Sequence, residues 1–142
     1  MVLPDVNVLV YSHRTDSIHH SQFHGWLKDV LGSEEAFGIS NLALSGFLRV
    51  VTNPKAFLFP TPLVEALAFV EAIRNRPNCV TIEPGPRHWS IFERLCRTVE
   101  ARGNLIPYAY FAALAIESGC DWISTDSDYG LFPGLRWHNP LR

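Results

Sequence analysis

The sequence has few of the features that mark secreted, membrane or generally basic proteins. Its three cysteines, Cys79, Cys96 and Cys120, are odd in number and show no CxxC spacing, which argues against a disulfide framework or a zinc knuckle. No apolar run approaches the roughly 20 residues that span a bilayer. The first residues, MVLPDVNVLV, also lack the basic start of a signal peptide. These absences predict a cytoplasmic protein without membrane contact.

An excess of charge of one sign is also missing. The 142 residues carry 12 basic and 14 acidic side chains, a net charge of −2. This balance excludes a generally basic, histone-like nucleic-acid binder, but it leaves room for a local basic groove. Most of the basic side chains are arginines, which suit phosphate groups. The length and the hydrophobic content of 47% predict a single folded domain spanning residues 1–142.

Short apolar runs alternate with longer helical patterns along the chain. The runs predict strands at residues 1–4, 36–39, 80–82 and 122–124, and a fifth at 135–137. The pattern predicts a short helix or turn at 6–12, and helical spacing predicts helices at 19–31, 41–53, 62–73, 86–102 and 107–118. Thr61 is the predicted cap of the fourth helix, and Pro107 the predicted start of the sixth. The alternation predicts an α/β fold with three layers, α/β/α, around a central parallel sheet of four to five short strands.

Acidic side chains directly follow two of these strands. Asp5 comes after the first strand, and Asp126 and Asp128 come after residues 122–124. Ligands of parallel sheets bind beyond the carboxyl ends of the strands, so these carboxylates are expected to converge there. A cluster of oxygen ligands suits Mg²⁺ or Mn²⁺. A structural role remains open, because Asp5 can cap the next helix and residues 126–128 can form an Asx turn.

Four segments together resemble the PIN-domain family, and more closely the VapC-type toxins of type II toxin–antitoxin (VapBC) systems. The segments occur in this order and span nearly the whole chain: DVNVLV, LALSGFLRVVTNP, IPYAYFAALAIESG and STDSDYGLFPGLRW. A DxN or DxD motif alone would be a weak signal. The resemblance depends on all four segments and their order.

The resemblance implies a PIN-like fold and a Mg²⁺- or Mn²⁺-dependent endoribonuclease that cleaves RNA by metal-activated water. It also implies a homodimer that a VapB-type antitoxin binds and inhibits in a toxin–antitoxin hetero-oligomer. On the family pattern, Asp5, Asp126 and Asp128 are the catalytic and metal-binding acids. Asn7 and Ser124 match supporting polar residues of the family.

Two positions depart from the family pattern. Gly46 stands where many PIN domains have a glutamate, and Tyr108 stands where an aspartate ligand is usual. A phenol whose pKa is near 10 is a poor ligand for Mg²⁺ at neutral pH. We therefore expect Tyr108 to impair the metal site; the alternative is a site that works with Asp5, Asp126 and Asp128 alone.

Four arginines are candidate contacts for RNA phosphates. Arg87, Arg94 and Arg97 share one face of the fifth predicted helix, and Arg49 lies on the third. An ordinary ion pair explains Arg97 equally well, because Glu93 lies four residues before it.

Two other functions compete with the nuclease. The first is a catalytically inactive PIN-fold module that still binds an antitoxin or RNA. The second is a Mg²⁺-dependent, phosphatase-like enzyme, which the segment Asp5-Val6-Asn7 suggests superficially. The nucleophile motif of such an enzyme requires aspartate at both ends and a lysine further along the chain. Neither Lys28 nor Lys55 is well placed for that role.

Overall fold

The computed structural model describes residues 1–142, in which short strands alternate with helices. The strands are β1 (Val2–Pro4), β2 (Phe37–Ile39), β3 (Cys79–Thr81), β4 (Asp121–Ile123) and β5 (Trp137–His138). The helices are α1 (Val6–His13), α2 (His20–Gly32), α3 (Asn41–Val51), α4 (Leu63–Arg74), α5 (His88–Val99) and α6 (Leu105–Ser118). A short 3₁₀ helix, Ser127–Leu131, follows β4. No helix combines the length and the hydrophobicity that a membrane span needs.

All strand pairs are parallel. β1 pairs with β4, from Val2 opposite Asp121 to Pro4 opposite Ile123, and β4 pairs with β5. β2 pairs with β3 and lies beside β1. The hydrogen bonds nevertheless define two groups, β1-β4-β5 and β2-β3, instead of one continuous ladder. The predicted α/β fold with a central parallel sheet of short strands is confirmed, with one interruption in its hydrogen bonding.

Helices cover both faces of the sheet because successive strand residues point to opposite sides. Leu3 and Trp122 belong to a core cluster with α5 and α6. The next residue of β4, Ile123, packs instead with Val8 of α1 and Phe23 of α2. The side chains of β2 pack against α1 to α4. These contacts give the three layers that the alternation of elements predicts.

Three predicted helix starts are wrong: those of α4 and α6, and that of α5, which begins at His88 and not at residue 86. Thr61 does not cap α4, which begins at Leu63 without a side-chain cap. Its hydroxyl oxygen instead accepts a hydrogen bond from the buried Arg14 guanidinium at 3.3 Å. Helix α6 begins at Leu105, two residues before Pro107. A proline is tolerated in the first turn because the N–H that it lacks has no helical partner there.

The pairing of β1 with β4 positions the acidic residues. The two strands run in the same direction as neighbours, so Pro4 and Ile123 end at the same edge. Asp5 continues the ladder by one hydrogen bond, from its N–H to the Ile123 carbonyl at 2.8 Å. The chain segments that begin at Asp5 and at Ser124 therefore leave the sheet side by side.

Candidate metal centre

Asp5 is buried at the start of α1, where its two carboxylate oxygens have different partners. Oδ1 accepts a hydrogen bond from the N–H of Val6 at 2.7 Å and so caps the helix. Oδ2 accepts one from the Ser124 hydroxyl at 2.7 Å and a longer one from the Asn7 amide at 3.4 Å. Only 7% of the residue is exposed. Asp5 thus both caps α1 and faces the segment that follows β4.

Ser124 and Asn7 join the two strand ends. The Ser124 hydroxyl oxygen accepts hydrogen bonds from the Asn7 amide at 3.2 Å and from the N–H of Asp126 at 3.1 Å. The side-chain Oδ1 of Asn7 accepts a hydrogen bond from the N–H of Thr125 at 3.3 Å. The two polar residues that match the family's supporting positions therefore hold Asp5 and Asp126 close to one another.

Asp126 has a comparable division of its oxygens. Oδ1 accepts a hydrogen bond from the N–H of Asp128 at 2.9 Å, which forms the Asx turn at the start of the 3₁₀ helix. Oδ2 accepts one from the Tyr108 hydroxyl at 2.5 Å. The Tyr108 ring stacks on the buried ring of Tyr129, with centroids 4.9 Å apart and planes 9° apart. Tyr108 therefore binds to an acid of the site and does not simply fill the position of a missing one.

Burial and like charge make the site electrostatically unusual. Burial raises the pKa of Asp5 from 3.8 to about 6, although the hydrogen bonds from Ser124 and Val6 oppose this rise, and the charge of Asp126 adds to it. The hydrogen bond to Asp126 is the main cause that raises the pKa of Tyr108 from 10.0 to about 12. Burial also raises the pKa of Tyr129. At neutral pH both phenols are therefore neutral beside two carboxylates.

A pocket of about 530 Å³ opens beside Asp5. Its lining is largely apolar and aromatic, and includes Tyr11, Phe57, Tyr108 and Phe111. Sequence reasoning missed Tyr11, although it lies four residues after Asn7 on the same helix and therefore on the same face. Phe57 and Phe111 gave no comparable signal in the sequence, because only tertiary packing brings their elements to this pocket.

Arg49 lines this pocket, and Gly46 lies one turn earlier on α3. No ion pair or side-chain hydrogen bond engages the exposed Arg49 guanidinium. A Cβ atom at Gly46 would lie 2.8 Å from Cγ2 of Val6. Gly46 therefore permits the close approach of α1 and α3 at the wall of the pocket.

The other candidate arginines lie outside the pocket. The Arg87 guanidinium and N–H donate to Glu117, at 3.3 Å to its carbonyl and 2.9 Å to its carboxylate. Arg97 pairs with Glu93 at 2.9 Å, which is the ordinary ion pair that their spacing predicts. Arg94 lies on the same helix, α5, and does not line the pocket either. Of the four arginines, only Arg49 lines the pocket beside Asp5.

The PIN-domain family matches residues 2–134, nearly the whole chain. The chain belongs to the PIN-domain family. Its relatives include two ribonucleases of Mycobacterium tuberculosis. VapC43 is 40% identical over 141 residues, which are 99% of this chain and 96% of that protein. VapC25 is 39% identical over 140 residues, 99% of each chain. These identities place the chain among the VapC-type PIN domains.

A solved structure of a VapC-type PIN domain has the same fold. The complex VapBC-1 from nontypeable Haemophilus influenzae contains a chain that matches with a TM-score of 0.71. The match covers all of both chains, at a sequence identity of 12%. This likeness supports the three-layer fold independently of the sequence relatives.

PIN-domain ribonucleases of the VapC type generally depend on divalent cations, and the donors of this PIN domain fit one such ion. No group of three His, Cys, Asp or Glu side chains converges, since Asp128 is exposed and touches the site through its backbone. The side chains that do come together are Asp5 and Asp126, whose mutual repulsion a cation would relieve. Mg²⁺ is commonly held by one or two carboxylates, with waters and phosphate oxygens completing its shell.

Proposed function

We propose that this PIN domain is the toxin of a VapBC-type pair and a divalent-metal-dependent endoribonuclease. The convergence of Asp5 and Asp126 on Ser124, at the carboxyl edge of β1 and β4, is the observation that carries the proposal. The identity of about 40% with named VapC ribonucleases supports it. None of the comparisons favours the inactive binding module or the phosphatase-like enzyme. Residues 1–142 act as a single domain in this proposal.

Asp5 and Asp126 would hold Mg²⁺ or Mn²⁺. When bound, the ion would act as a Lewis acid that activates water and stabilises the leaving oxygen of the RNA backbone. Ser124 and Asn7 orient the Asp5 carboxylate through their hydrogen bonds, and Ser124 holds Asp126 through its backbone N–H. Asp128 stays in the proposal as a ligand that reaches the ion through water, because its carboxylate is exposed beside Asp126.

Arg49 would contact an RNA phosphate. It is the one candidate arginine that lines the pocket, and its guanidinium is free. Arg87, Arg94 and Arg97 remain weaker candidates on α5 and its preceding loop, where they would contact RNA only beyond the pocket.

Tyr108 would weaken the site, because its hydroxyl group occupies an oxygen of Asp126 that a metal ion would use. The test compares Tyr108→Asp, which adds a carboxylate, with Tyr108→Phe, which only removes the hydroxyl. We expect Tyr108→Asp to raise Mg²⁺ affinity by about 10-fold or more and to increase the rate of RNA cleavage at saturating RNA. We expect Tyr108→Phe to have a smaller effect. Calorimetric titration measures the Mg²⁺ affinity, and a gel assay with and without EDTA measures RNA cleavage.

Different results would contradict the role of Tyr108 and the nuclease proposal. If Tyr108→Asp gains neither Mg²⁺ affinity nor cleavage, Tyr108 does not impair the site. If neither the unmodified chain nor Tyr108→Asp cleaves any RNA with Mg²⁺ or Mn²⁺, the nuclease proposal itself is wrong. Asp5→Asn is the matched control, since it should abolish cleavage in either background.

The proposal includes a VapB-type antitoxin and a homodimer as partners. An apolar surface at the loop before α4 supports a partner contact, because Leu58 is 87% and Phe59 78% exposed. Val64 extends this surface along α4. Light scattering on the chain alone and with its antitoxin would measure both assemblies. If Leu58→Ser with Phe59→Ser changes neither, this surface is not a contact.

A further inference from the structure

The pocket beside Asp5 has an aromatic wall that the metal chemistry does not use. Tyr11, Phe57, Tyr108 and Phe111 line it together with Asp5 itself. Its volume of about 530 Å³ exceeds what a metal ion with its waters requires. The shape and lining therefore indicate a site for part of the substrate, next to the reacting phosphate.

Tyr108 presents a fixed aromatic surface in this wall. One face of its ring is stacked on Tyr129, and its hydroxyl is held by Asp126. Tyr108 is only partly buried, and it lines the pocket. A ring that is already held in place loses little conformational entropy when a planar ligand stacks on it. The Tyr108 ring is therefore held in a fixed position at the wall of the pocket.

Polar groups in the same pocket narrow the class of ligand. Arg49, whose guanidinium has no ion pair, and Asn104 are both among its lining residues. A purely apolar ligand would leave this cation unused, whereas a nucleotide offers a base for the aromatic ring and a phosphate for the cation. The chemistry of the pocket therefore matches a nucleotide unit.

We propose that Tyr108 stacks one nucleobase of a single-stranded RNA, in the nucleotide adjacent to the phosphate held near Asp5, while Arg49 contacts a phosphate of that nucleotide. The inference depends on the proposed function, and it adds a subsite that the carboxylates alone do not give. Every base has a stacking face, so this subsite would tolerate different bases and contribute affinity more than sequence specificity.

The test measures binding of a fluorescently labelled single-stranded RNA by anisotropy, in EDTA at low salt so that the RNA stays intact. Tyr108→Phe keeps the ring and should bind within about twofold of the unmodified chain. Tyr108→Leu removes the ring and should weaken binding by about 5- to 100-fold, the effect of losing one base–aromatic stack. Trp89→Leu is the matched control, because Trp89 is 65% exposed outside the pocket. It should leave affinity unchanged.

A second comparison needs no variant. An oligonucleotide of the same length with abasic sugars keeps the phosphates and removes the bases, and we expect the unmodified chain to bind it as weakly as Tyr108→Leu binds intact RNA. Circular dichroism verifies that each variant is folded.

Three outcomes would overturn the inference. Equal binding of intact and abasic RNA excludes base stacking. Equal affinities of Tyr108→Leu and the unmodified chain exclude Tyr108 as the platform. Equal losses in Tyr108→Phe and Tyr108→Leu would assign the effect to the hydrogen bond with Asp126. In all three cases RNA still binds and the proposed function stands. If the unmodified chain binds no RNA, both fail together.

Discussion

Replacing Asp5 by asparagine should stabilise the folded protein at alkaline pH, although it removes an acid of the proposed metal site. Only 7% of Asp5 is exposed, and burial raises the pKa of its carboxyl group from 3.8 to about 6. An ionised Asp5 is therefore less stable in the folded protein than in the unfolded chain. The asparagine side chain of the variant would have nearly the same shape and no charge.

The change in folding stability caused by Asp5→Asn follows from the difference between the folded and unfolded pKa of Asp5. Because the folded pKa lies above the unfolded one, the contribution of Asp5 to stability is most favourable below about pH 4 and is lost as the pH rises through about 6. A shift of about two pKa units corresponds to about 3 kcal/mol. The substitution also deprives the Ser124 hydroxyl of its acceptor, which costs about 1 kcal/mol. We expect a net gain of about 2 kcal/mol near pH 8 and a small loss near pH 4.

Urea unfolding, followed by the fluorescence of the four tryptophans, measures this difference from pH 4 to pH 8. Asp128→Asn is the matched control, since it removes a carboxylate of the same region that is exposed, and therefore removes no buried charge. The reasoning is refuted if the stability difference between Asp5→Asn and the unmodified chain is the same at both ends of the pH range. It is equally refuted if Asp128→Asn gives the same pH-dependent gain.

Three further tests concern metal binding, the packing of α1 against α3, and the buried guanidinium of Arg14. Saturating Mg²⁺ should raise the melting temperature of the unmodified chain and leave Asp5→Asn unchanged, which differential scanning fluorimetry would show; equal shifts would place the ion elsewhere. Gly46→Ala should destabilise the fold by about 1 kcal/mol, because the clash with Val6 outweighs the gain in helix propensity, and Val6→Ala should suppress this loss in a double-mutant cycle of urea unfolding. Arg14→Met should cost about 2 kcal/mol in the same assay, since the buried guanidinium donates to the Phe59 carbonyl at 2.7 Å; an unchanged midpoint would contradict this role.

The convergence of the acids could be anticipated from the sequence because it needs only two general rules. Short apolar runs alternating with helices give parallel strands, and the carboxyl ends of neighbouring strands share an edge. Asp5 and Asp126 follow two such strands, and β1 and β4 are indeed neighbours. The rule failed to anticipate the position of Asp128, because an Asx turn rotates that residue outward, and its carboxylate is exposed.

Features that depend on side-chain packing between distant segments could not be derived. The hydrogen bond from Tyr108 to Asp126 joins residues 18 positions apart, and nothing in a helical pattern states where a phenol points. The contact of Gly46 with Val6 is likewise set by the approach of two helices. On the family pattern Tyr108 is only a lost ligand, whereas in the structure it has its own partner in the site.

The two roles that the sequence left as alternatives for Asp5 are compatible, because a carboxylate has two oxygens. Oδ1 of Asp5 caps α1, and Oδ1 of Asp126 caps the 3₁₀ helix. Each Oδ2 accepts a hydrogen bond from a hydroxyl group, of Ser124 in one case and of Tyr108 in the other. A hydroxyl can rotate away or accept instead of donate, whereas a backbone N–H at a helix start cannot be displaced without local unfolding. Capping therefore fixes the orientation of both carboxylates, and in the proposed site it would leave the two Oδ2 atoms for a cation. The Tyr108 hydroxyl, which departs from the family pattern, would then compete with the proposed ion for Oδ2 of Asp126.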